Sequence, residues 1–196
     1  MKFLGEDFYK QFFCGFQEYV NQDRKKYGKT IKDSAWTSYV KDSFLNELAK
    51  KLGFKETKRE GIYAIDLTWE KPSEGISVVI EHENDVKSIW KNEVPNLLKA
   101  AAALKVLITY VDDTEFPGKE IASRLLNHLK EANFNQEFLL ILGSFSMKEP
   151  TDWAGYLYRP ELTYQNIIVC SNMLEAESRP GKKAWKKRKS SQAVTT

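Results

Sequence analysis

Residues 61–84, GIYAIDLTWEKPSEGISVVIEHEN, decide how the chain is to be read. Apolar and polar groups alternate here with period two, and KPSEG at 71–75 supplies Pro72 and Gly75 for a turn, so two strands are expected, GIYAIDLTW and GISVVIEHE. FKETKRE at 54–60 reads as a strand before them, which makes the unit a three-strand meander. Asp66, Glu81 and Glu83 interrupt its apolar runs. A carboxylate in such a place costs free energy unless it is solvated, paired or bound to a cation. Glu81 and Glu83 are two apart and share a face. If Lys71 pairs with Ile76 across a four-residue loop, paired numbers sum to 147 and Asp66 faces Glu81; a two-residue loop gives 145 and a diagonal neighbour. Either odd register gathers all three acids on one side of the sheet.

After the meander, Asn84 is an expected N-cap and DVKSIWKNEVPNLLKAAAAL a crossover helix kinked at Pro95. KVLITYV at 105–111 then reads as a buried strand reached by that crossover, rich in β-branched residues. Pro117 and Gly118 introduce a helix to about residue 132, EFLLILGSF at 137–145 is a further buried strand, and 153–170 holds two short strands with a turn near Pro160. Before the meander, Phe8, Phe12, Phe16 and Val20, then Trp36, Val40, Phe44, Leu48 and Leu52, recur at helical spacing. Two helices follow, the second stopped by Gly53. The class is α/β, a mixed β-sheet of meander, crossover helix and further strands, flanked by helices.

Three carboxylates that converge repel one another and are stabilised by sharing protons or by a hard cation. Mg²⁺ is the natural ligand, with Mn²⁺ as its alternative, since it takes one or two protein carboxylates together with water and phosphate oxygens. Bound there, it polarises a phosphodiester and lowers the pKa of water. The order of elements, with Asp66 on one strand and Glu81-His82-Glu83 on the next, resembles the PD-(D/E)xK superfamily of restriction-endonuclease-like nucleases over residues 32–111. The resemblance implies that Asp66 and Glu81 hold the metal and that Glu47, on the preceding helix, assists. Glu83 departs from the pattern, because most members have lysine there; some restriction enzymes carry glutamate, which would handle the attacking water or complete the metal shell. Lys87 and Lys91, spaced one helical turn apart, are candidates to replace the lysine's charge.

The charge is segregated. Of 30 Lys and Arg, seven lie in residues 179–196 with no acid, leaving 23 basic against 27 acidic groups in 1–178, a net of −4 beside a tail of +7. The chain is therefore read as one domain, 1–178, with N-terminal helices at 6–52 and a core at 32–145, followed by a disordered basic tail. Lys182, Lys183, Trp185, Lys186, Lys187, Arg188 and Lys189 in that tail are candidates for phosphate contact and base stacking. A solubilising end has the same composition.

Other classes lose ground. There is no GxSxG, GxxxxGK, GxGxxG or HExxH pattern. No apolar run approaches the ~18 residues of a bilayer span, and MKFLGEDFYK has no signal-peptide core. Cys14 and Cys170 fit neither a disulfide framework nor a metal motif and are expected to be reduced and packed. The sequence thus points to a cytoplasmic, Mg²⁺-dependent endonuclease acting on DNA, with RNA as another substrate class, no membrane partner, and a homodimer for cutting both strands. The alternative is a noncatalytic nucleic-acid-binding or interaction module that keeps the fold.

Overall fold

The computed structural model describes residues 4–22, 34–57, 65–71, 74–111, 118–144, 153–160 and 168–170. The basic tail lies outside them. Strands β1 (Lys55–Thr57), β2 (Leu67–Lys71), β3 (Gly75–Glu83), β4 (Leu104–Val111), β5 (Glu137–Ser144), β6 (Trp153–Tyr158) and β7 (Ile168–Cys170) form one sheet. Its spatial order is the chain order, β1 through β7. The first three strands are antiparallel, β3, β4 and β5 run parallel, and β6 and β7 return antiparallel. Parallel neighbours need a crossover on one face. Those crossovers carry α4 (Glu93–Lys99) and α5 (Gly118–Glu131), while α1 (Leu4–Gln22) and a helical run of α2 (Ser34–Thr37), π1 (Ser38–Phe44) and α3 (Leu45–Lys51) cover the other face.

Strand parity divides the core in two. Leu104, Val106, Ile108 and Tyr110 of β4 face α1 and the π1 run, whereas Leu107 and Val111 face α4 and α5. The α1 side is aromatic: Phe12 packs edge-on against Phe44 at 5.3 Å and Trp153 at 5.0 Å, and Phe16 against the same two rings at 5.2 Å each. Gly53, at φ 76°, ends α3, and the Phe54 N–H returns to the Ala49 carbonyl at 2.8 Å. A left-handed residue of this kind closes a helix while satisfying its last carbonyls.

Four expectations change. The crossover does not begin as a helix at Asn84. Residues 86–92 are turns, organised by Asp85, whose side chain accepts from the Lys87 N–H and whose carbonyl accepts from the Ser88 N–H and Oγ. Pro95 lies in the first turn of α4, where no N–H is required, so it begins a helix rather than kinking one. The middle of the second N-terminal helix is π-wound over Ser38–Phe44, with the Leu45 N–H bonded to the Val40 carbonyl. Cys14 is exposed on α1 rather than packed.

Candidate functional site

The β2–β3 turn closes with Lys71 opposite Gly75 and Glu70 opposite Ile76, a sum of 146. That parity would put Asp66 and Glu81 out of step. The register then shifts between Trp69 and Glu70, where Ser77 of β3 is the extra residue, and from Trp69↔Val78 through Leu67↔Ile80 the sum is 147. A bulge is such an insertion of one residue in one strand of a pair. The odd register is thus reached by correction inside the ladder, and it carries Asp66 to a position opposite Glu81.

Backbone pairing ends at Leu67, and side chains continue it. Asp66 Oδ2 accepts from the His82 N–H at 3.0 Å, and Glu81 Oε2 accepts from the Asp66 N–H at 3.3 Å. The Glu81 carboxylate is thus held by the Asp66 backbone and the Asp66 carboxylate by the His82 backbone, at the C-terminal end of β3. Glu81 is only 4% exposed. Burial, and then the Asp66 charge, push its carboxyl up to about 8. Near neutral pH Glu81 therefore keeps its proton.

The neighbours are less closely engaged. Glu83 lies on Glu81's side of β3, but its Oε1 accepts from the Asp85 N–H at 2.9 Å. Glu93, in the first turn of α4, is raised by burial and by the Glu83, Asp66 and Asp85 charges, and its buried Oε2 has no hydrogen-bond partner among the described residues. Among the described residues, no three His, Cys, Asp or Glu side chains are grouped as a cation cage. The expected trio is instead a pair, Asp66 and Glu81, with Glu83 and Glu93 beside it. A pair of hard oxygen donors fits Mg²⁺, which fills its shell from water and phosphate.

Glu47 is not brought to the pair. It is exposed and lines a groove of about 270 Å³ between α1 and α3, with Glu18, Tyr19 and Lys51. The same helical run sends Lys41 instead: its Nζ lies 2.8 Å from Asp66 Oδ1. Glu47 is six residues further on, well over one turn, and so falls on another face. Lys87 and Lys91 are exposed and do not share a helix face, because their segment is turns rather than helix. His82 points away from the acids; its Nε2 meets Tyr110 Oη at 2.7 Å, and burial holds its pKa down at about 4. His128 stacks on Trp90, with centroids 5.3 Å apart, and the Arg124 guanidinium lies 4.3 Å over the same indole.

Sequence reasoning missed Lys41 and Glu93. Lys41 sits beside Val40 in a run read for its apolar period, and nothing local announces a partner 25 residues away. Glu93 had a weak signal, an acid two residues before a proline, which reads equally well as a helix-dipole acid.

The fold and site define an α/β protein with a seven-stranded mixed sheet and a carboxylate pair at the C-terminal end of β3. No protein-family profile matches the chain, and neither a curated protein nor a solved structure does. Among the described residues, no helix is long and apolar enough to cross a membrane.

Proposed function

We propose that the chain is a Mg²⁺-dependent endonuclease of restriction-endonuclease-like fold that hydrolyses phosphodiester bonds in DNA. The observation that carries this reading is the Asp66–Glu81 pair: two carboxylates held by adjacent strands, one of them buried with its pKa raised beside the other. Asp66 and Glu81 would hold the ion, and when bound it supplies Lewis-acid polarisation of the phosphate. The chain's own part is to fix both carboxylates through backbone N–H groups and to release the Glu81 proton. Glu83, two residues on from Glu81 along β3, and Glu93, whose charge acts on Glu81, would orient water. Cutting both strands of a duplex calls for two such sites and hence a homodimer.

Supercoiled plasmid incubated with the protein and Mg²⁺ or Mn²⁺ tests this directly, beside Asp66→Asn. Cleavage by the parent and not the variant is the expected result; a variant as active as the parent removes the reading. The second reading, a binding module without turnover, draws on Glu83, which stands where the resembled family has lysine and is tied to the Asp85 N–H. DNA binding without cleavage in either metal decides for it. Under both readings, deleting residues 179–196 weakens DNA binding and flattens the slope of log K against log salt, by about 0.9 for each phosphate that the tail neutralises.

A further inference from the structure

A carboxylate-rich site raises the question of what balances it before any ion or nucleic acid arrives. The largest charges acting on Glu81 are Asp66 and Glu93, and those on Glu93 are Glu83, Asp66 and Asp85, all carboxylates. Against them stands Lys41, whose ammonium is 2.8 Å from Asp66 Oδ1 and also feels Asp42 and Glu81. Lys41 and Asp66 are about one quarter exposed, 24% and 25%, so the pair is neither a loose surface contact nor a sealed one.

We propose that Lys41 is the resident cation of this site, balancing Asp66 until a divalent ion takes that place and then offering its charge to the phosphate. This deepens the metal-site reading above and rests on it. Three observations carry it. The two oxygens of Asp66 are held differently: Oδ2 by the His82 N–H, fixed within β3, and Oδ1 by an ammonium on a flexible four-carbon stem. An ion reaching Asp66 therefore meets one partner that stays and one that can withdraw.

The backbone is also built to deliver this side chain. Lys41 lies in π1, a full π turn, and such turns are rare and occur often at functional sites. The π winding keeps Val40 and Phe44 buried on either side while Lys41 reaches the sheet end. Asn84, just past β3, donates to Thr37 Oγ1 at 2.7 Å and ties the start of this helical run to the same end of the sheet. Lastly, the position after Glu81 and His82 is Glu83, with its carboxylate on a backbone N–H, so that strand position supplies no positive charge to a substrate. Lys41 supplies it from the opposite wall.

The test measures Mn²⁺ alone by titration calorimetry, in the full chain, for the parent, Lys41→Met, Lys41→Gln, Lys41→Arg and Asp66→Asn, with thermal melts to establish folding. Removing a positive charge a few ångströms from a dication tightens its binding by roughly tenfold even with water-like screening. Lys41→Met and Lys41→Gln are thus expected to bind Mn²⁺ about tenfold more tightly than the parent, and Lys41→Arg to match it. At saturating Mn²⁺, plasmid cleavage should fall on the order of 10²-fold in Lys41→Met and Lys41→Gln, as for loss of one charge-stabilising donor, and be largely retained in Lys41→Arg. A purely structural ion pair gives no tightening. If Asp66→Asn abolishes Mn²⁺ binding while both neutral Lys41 variants bind no more tightly than the parent, the role of Lys41 is overturned and the metal site stands. If Asp66→Asn binds Mn²⁺ as the parent does, the metal-site reading itself is overturned, and this role with it.

Discussion

The two ends of the parallel strands bury charge in opposite ways. At the N-terminal end, Arg159 is 5% exposed and meets Glu6 at 2.7 Å and Glu137 at 3.5 Å, while Glu137 Oε2 takes the Gly5 N–H at 2.8 Å. Lys105, fully buried in β4, donates to the Ala102 carbonyl at 2.6 Å and to Gln136, with the Phe134 ring beneath it. Each cation there is answered by groups of the chain itself. At the C-terminal end, among the described residues, Lys41 pairs with Asp66 and also feels Glu81. Glu93 adds its charge to both acids and Glu83 adds its own to Glu93, and burial keeps Glu81 protonated near neutral pH. Burying an ion is tolerated when partners repay its lost hydration. The first end is closed on those terms and ties α1 to the sheet. The second has a surplus of one sign, which an external cation relieves.

Substitutions sharpen this contrast. The largest expected effect is at the open end: Asp66→Asn or Glu81→Gln should lower metal-dependent plasmid cleavage by at least about 100-fold, since even groups one shell outside a metal cost 10- to 100-fold. Glu81→Gln should nonetheless melt at or above the parent's temperature without metal, because a neutral amide replaces a carboxyl whose ionised form is disfavoured. At the closed end the pattern inverts. Arg159→Leu leaves Glu6 and Glu137 without their cation and should cost about 3–5 kcal/mol in urea unfolding, with Mn²⁺ affinity unchanged. A stable Arg159→Leu, or one that loses metal binding, breaks the comparison.

The smallest effect is a pH dependence at the closed end. Burial lowers the Lys105 pKa from 10.5 to about 8. Between those values the folded chain releases a proton that the unfolded chain keeps, so stability rises with pH across that window, by at most about 1.4 kcal/mol per unit. Below pH 8 both states carry the charge and the slope from this group vanishes. Lys105→Met should lack the rise, and the difference between parent and variant melts from pH 8 to 10.5 measures it.

Much of the fold was legible because it rests on local periodicity. The strands at 75–83, 104–111 and 137–144 and the helix at 118–131 follow runs whose period and breakers state their type. Asp66 and Glu81 were legible as a pair because acids in apolar strands are costly and parity is simple arithmetic. Parity alone did not secure it, since the turn starts in the even register and the bulge at Ser77 restores the odd one. A bulge has no composition cue in SEGIS. The crossover was misread for a related reason: Asp85 satisfies backbone groups in turns that a helical spacing of Val86, Ile89 and Trp90 does not reveal. Lys87 and Lys91 were then placed on a helix face that does not form, while the cation at the site came from a π turn 25 residues before Asp66.

By itself, the sequence determined the class of most elements, the apolar faces that bury them, and the presence of carboxylates where only pairing or a cation makes them tolerable. These follow from the geometry of a strand or a helix and the cost of burying charge. Tertiary structure alone decided which charges meet. Lys41 reaches Asp66, Glu93 joins from α4, Glu83 turns to the Asp85 N–H, and Glu47 faces elsewhere. Contacts between residues far apart in the chain depend on bulges, turns and helix winding that shift a side chain by one residue, and one residue is enough to move it to the other face.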